Sequence, residues 1–138
     1  MGAWDTSVFG NDDAADFLYE FGDARTVAQV VSLLEGALDA VLDATPQIQA
    51  PEGAVGLAAA ALVVCWKEPA LLRNEAGEDL SPWPRTAEPL SGHLHTKAAQ
   101  VLERLQDTRG NELGQLWADA GRSSEFDAEL TRWRSRLP

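Results

Sequence analysis

Cationic side chains are scarce in this 138-residue chain, where 11 Lys and Arg stand against 22 Asp and Glu for a formal net charge of −11. A field of that sign repels nucleic-acid backbones and anionic lipid surfaces, so neither is an expected partner, whereas a basic protein is attracted. Solubility alone is the plainer account of the same excess. Cysteine is almost missing. With Cys65 alone no internal disulfide can form, and nothing points to an oxidising compartment. Long apolar runs are missing too: the longest, AVGLAAAALVVCW from Ala54 to Trp66, has 13 residues, against the roughly 20 that a bilayer requires. No basic segment followed by an apolar run opens the chain, so the expected location is the cytoplasm.

Motifs of known chemistry are equally few. There is no phosphate-cradling glycine loop, nucleophile elbow or zinc-protease helix. The two histidines, His93 and His95, lie two apart in HLH, where helical side chains diverge, and no further pair completes a tetrahedral set. They read as surface or capping residues, with no metal and no cofactor expected. MGAWDT fits the pattern for myristoylation at Gly2, but the alanine, aspartate and arginine bias is that of a bacterium with GC-rich DNA, and the match is set aside. Runs of alternating β-branched residues, internal repeats and low-complexity segments are absent.

What remains is helical. Asn11 is a good N-cap, Asp12 and Asp13 suit a positive helix end, and Phe17, Leu18 and Phe21 supply an apolar face. Capping accounts for these acids better than a calcium loop, whose spaced ligands and central glycine are lacking. A second helix is expected at about 24–44, with Val27, Val31, Leu34, Leu38 and Val41 alternating at four and three; Val30, Ala37 and Leu42 widen the stripe, and Thr45-Pro46 closes it. The third, about 52–67, is apolar nearly all round and rich in small residues, which marks a central helix that neighbours approach closely and makes Cys65 a buried filler. Residues 68–92, with four prolines and the acids Glu75, Glu78 and Asp79, read as a long loop that Leu80 and Trp83 pin to the body. A fourth helix places Leu94, Ala98, Val101, Leu102 and Leu105 on one face. In a fifth, Leu113, Leu116, Trp117 and Ala120 are expected to face inward. Ser124 with Asp127 resembles a capping box opening a sixth, with Phe126, Leu130, Trp133 and Leu137 inside and Arg132, Arg134 and Arg136 suiting its negative end. The expectation is an all-α single domain, 1–138: a compact bundle of about five to six helices around a central small-residue-rich helix.

MGAW at the start, then NDDAADFLYE, and later NELGQLWADAG followed by LTRWRSRL resemble the bacterial domain of unknown function 4259 family. The matching residues are Gly2, Ala3, Trp4, Asn11, Asp12, Asp16, Glu112, Leu113, Leu116 and Trp117, with Asp5 where the family usually has glycine, and the match is loose over about 46–92. The resemblance implies a small, cytoplasmic, helical domain and carries over no catalytic residue. A motif that starts at the first methionine argues that Trp4, Val8 and Phe9 fold back onto the body. Burial of one indole contributes up to about 4–6 kcal/mol.

Function is read in three ways. The first is a small acidic intracellular protein-binding module, an immunity- or antitoxin-like inhibitor of a basic partner. It rests on the absence of catalytic constellations and on an uneven charge: residues 1–60 hold ten acids and one base, −9, while the remaining 78 hold twelve acids and ten bases, −2. Glu35, Asp39 and Asp43 lie four apart on the second helix, where like charges cost a few tenths of a kcal/mol per pair. They are the candidate partner-binding row, joined by Glu75, Glu78 and Asp79; a solvated face is the plainer reading of the row. The second is an enzyme or small-ligand binder with a pocket under the 68–92 loop, lined by Asp12, Asp16, Trp83, His93 and Trp117. A homo-oligomer with a structural role is the third, and catalysis is the lesser expectation.

Overall fold

A computed structural model describes residues 8–9, 11–68, 70–71 and 88–137. Among them are six helices and no strand: α1 (Asp12–Gly22), α2 (Val27–Leu42), α3 (Ala50–Cys65), α4 (Gly92–Gln106), α5 (Glu112–Asp119) and α6 (Ser123–Arg134). Trp4, Leu80 and Trp83 lie outside the described residues, as do Glu75, Glu78 and Asp79.

The chain makes these helices start where side chains can take up free backbone donors. Asn11 caps α1, its side chain accepting from the Ala14 N–H at 2.8 Å. At α2 a capping box that the sequence reading missed sets the boundary: Thr26 Oγ1 accepts from Gln29 N–H, and Gln29 Oε1 accepts from Thr26 N–H. The helix therefore begins at Val27, three residues after Ala24. Pro51 opens α3, where its missing N–H costs nothing. Gln49 makes no side-chain cap there. Glu112 of α5 reaches across instead and accepts from Ala50 N–H at 2.8 Å.

α3 is the axis, buried from Ala54 to Trp66 apart from the partly covered Val55, and it touches all five other helices. Its small residues are what permit this. A Cβ built on Gly56 would lie 2.3 Å from Val41 Cγ2 and 3.4 Å from the Ala37 carbonyl oxygen of α2. Valine in a helix has essentially one χ1 rotamer, so that methyl does not swing aside cheaply. Gly56→Ala is therefore expected to destabilise by about 1–3 kcal/mol through overpacking, outweighing the gain in helix propensity. Urea unfolding reads the cost, and Val41→Ala in the same chain should recover part of it; a stabilised Gly56→Ala chain would contradict this packing.

Val8 and Phe9 are buried, and the Phe9 ring meets Trp133 of α6 edge-on at 6.3 Å. The far end of the chain is thus packed against residues that precede α1. On α2 the core stripe is Val30, Leu34, Ala37, Leu38 and Val41, with Val27 and Val31 half-covered. Two expectations need correction. Leu116 is 53% exposed and Ala120 is exposed, because α5 has only eight residues and buries the narrow edge of Leu113, Gly114 and Trp117. Ser124 does not cap α6. That helix starts at Ser123 behind Arg122, with no side-chain cap, and the Arg122 guanidinium pairs with Glu125.

Candidate functional site

The acidic row of α2 is not a free surface along its whole length. Lys97 of α4, only 17% exposed, places its ammonium 2.7 Å from Asp39 and 3.6 Å from Glu35. Its hydrogen bond to Asp39 and the charges of both carboxylates hold its pKa above the usual lysine range despite the opposing effect of desolvation. His93 Nε2 adds a contact to Glu35 at 3.7 Å. Asp43, exposed at the end of α2, takes no part in this pairing. Four-residue spacing places the acids on one face but is blind to a cation on another helix.

The proposed pocket residues are not brought together. Asp12 and Asp16 lie on the exposed side of α1, His93 is exposed on α4, and Trp83 is outside the described residues. Trp117 is a packing residue: its indole stacks with Phe126 at 6.5 Å, under the guanidinium of Arg122. Cys65 is buried in α3.

Two other features emerge. The first is the outer face of α1. Asp12, Asp16, Tyr19, Glu20 and Asp23 recur at four, three, one and three, opposite the buried Ala14, Phe17, Leu18 and Phe21, and Tyr19 is 77% exposed. Among the described residues no cation stands within ion-pair distance of any α1 carboxylate. Elsewhere five arginines are matched: Arg109 with Asp107, Arg122 with Glu125, Arg132 with Glu129, Arg134 with Glu103 and Arg136 with Glu68.

The second is a pair of adjoining concavities that share His95. One, of about 520 Å³, runs along α4 from Gly92 past Thr96 and Gln100 to Glu103, with Arg134 of α6 across it. The other, about 180 Å³, lies between the end of α3 (Val63, Val64, Lys67, Glu68) and Arg136 and Leu137. Burial, then the nearby Lys67 charge, lowers the His95 pKa below its ordinary 6.5, so the ring is neutral at pH 7. The groove lies at the two stems of the segment 68–92, where Trp66 Nε1 donates to the Glu88 carbonyl at 2.9 Å. Sequence does not reveal its residues, since His95 and the three cations come from segments far apart.

Among the described residues no group of three His, Cys, Asp or Glu is arranged to hold a metal ion, and no helix is long and apolar enough to cross a membrane. The model of a family described as a domain of unknown function, DUF4259, matches residues 2–133. No curated protein and no solved structure matches the chain.

Proposed function

We propose that this chain, which belongs to the DUF4259 family, is a protein-binding module that meets a basic partner, in the manner of immunity proteins and antitoxins. The observation that carries the reading is the outer face of α1, where four exposed carboxylates surround the exposed Tyr19 with no cation in ion-pair contact among the described residues. Acids three and four apart on one helix repel each other by a few tenths of a kcal/mol per pair. Such a face is relieved when positive charge arrives from outside. Complementary charge of this kind accelerates encounter and selects partners. A tyrosine at its centre supplies contact area at low entropic cost and is a preferred anchor of interfaces. The α2 row is less suited to lead, because Lys97 and His93 already engage Glu35 and Asp39.

The test begins with a photo-crosslinking residue at position 19 of the full chain, with the same residue at Gln100 on α4 as the control. A basic protein captured from position 19 alone is the expected result. Association of that purified partner should then slow by about tenfold or more when Asp16 and Glu20 become lysine, and its salt dependence should flatten. An on-rate indifferent to both salt and charge reversal would remove the reading.

A further inference from the structure

We propose that the double groove around His95 binds a small molecule through an oxyanion, a carboxylate or phosphate group held by Lys67 and Arg136 beside the imidazole, with the rest of the ligand lying along α4 toward Arg134. This surface is distinct from the α1 face. The larger cavity, about 520 Å³, is within the size range of metabolite sites. The smaller, about 180 Å³, suits one compact polar group.

Charge argues for the sign of that group. In a chain of net charge −11 the general field repels anions, yet the two cavities carry three cations, Lys67, Arg134 and Arg136, against two carboxylates, Glu68 and Glu103. Those pairings leave capacity. Arg136 meets Glu68 through a single 3.5 Å contact, and both Arg134 bonds go to one oxygen of Glu103. A guanidinium has five N–H donors, so each arginine keeps others for a ligand. Lys67 makes no ion pair among the described residues.

His95 argues for the place. Its half-buried imidazole has no hydrogen-bond partner among the described residues and forms the wall common to both cavities. A ring kept neutral by its surroundings can donate one hydrogen bond to an oxyanion. The first turn of α4, the positive end of a 15-residue helix with no acid in that turn, borders the larger cavity at Gly92. Thr96 Oγ1 donates to the Gly92 carbonyl at 3.0 Å, which fixes the hydroxyl among the residues lining the groove.

The experiment follows the ring resonances of both histidines by NMR in the full chain. Inorganic phosphate is titrated in one arm and acetate in the other, at pH 7.5 and constant ionic strength. His95 should shift along a saturating curve with a midpoint of roughly millimolar order, while His93 on the same helix does not. Lys67→Met and Arg136→Met should each weaken binding by about tenfold, the loss of one charged contact. Bound oxyanion should also raise the His95 pKa back toward 6.5, because a neighbouring negative charge favours imidazolium. Saturation with phosphate alone assigns a phosphate ligand, with acetate alone a carboxylate; both support the site. Equal, linear drifts of His93 and His95 in both arms would overturn it, as would saturation unchanged in the two methionine variants.

Discussion

Replacing Trp133 with alanine should lower the unfolding free energy by about 3–5 kcal/mol, the usual cost of deleting a fully buried large aromatic. Trp133 is 0% exposed and joins α6 to the residues that precede α1. Its ring receives the edge of Phe9 at 6.3 Å, the Arg132 guanidinium lies 4.8 Å from its centroid, and Nε1 donates to Glu129 at 2.7 Å. Alanine removes the packing and leaves the Phe9 side chain facing a void. Urea unfolding monitored by circular dichroism measures the loss, and a double-mutant cycle with Phe9→Ala should show a coupling of about 0.5–1.5 kcal/mol. Trp133→Phe keeps most of the ring and should cost less, because Glu129 remains bound to Arg132. A loss below about 1 kcal/mol for Trp133→Ala would mean that the two ends of the chain are not joined at this point.

Asn111→Leu is the second large expected effect, about 3–5 kcal/mol. Among the described residues Asn111 is the buried polar residue of the core. Its Oδ1 accepts from Gly114 N–H at 3.2 Å and caps α5, while Nδ2 donates to the Leu105 and Asp107 carbonyls at 2.8 and 3.3 Å. The backbone around it clasps the turn before α3: Ile48 N–H donates to Gly110 O at 2.8 Å, and Glu112 N–H donates to Ile48 O at 2.9 Å. Leucine has nearly the same shape but strands the Gly114 N–H, which is the lost cap, and a carbonyl in the interior, each at about 1–3 kcal/mol. Asn11→Ala is the control, since among the described residues that side chain makes only the α1 cap, and it should cost only about 1 kcal/mol. The two substitutions are compared by their urea midpoints. If Asn111→Leu is no more costly than Asn11→Ala, the buried network contributes nothing beyond capping.

The helices were largely legible because their signals are local. The cap at Asn11, the stripe of Phe17, Leu18 and Phe21, the all-apolar third helix and the spacing of Phe126, Leu130, Trp133 and Leu137 all stand in the structure as read. The errors occur where local pattern meets a neighbour. Leu116 has the apolar character of a core residue, but among the described residues no other helix covers that side of the short α5. Glu35 and Asp39 share a face in the sequence, and what neutralises them is Lys97, more than fifty residues away. His93 and His95 are adjacent candidates by pattern, yet one is exposed beside Glu35 and the other lines two cavities.

Period and capping chemistry are written in contiguous residues, so the amino-acid order alone decided that this chain is helical, that its all-apolar third helix forms its centre, and that net negative charge is concentrated in its first 60 residues. Only tertiary packing decided which carboxylates are neutralised, which histidine is half-buried, and that Glu112 and the backbone on either side of Asn111 close the start of α3. Those outcomes depend on distances between helices, and a helix repeats its own face every few residues without recording what stands opposite.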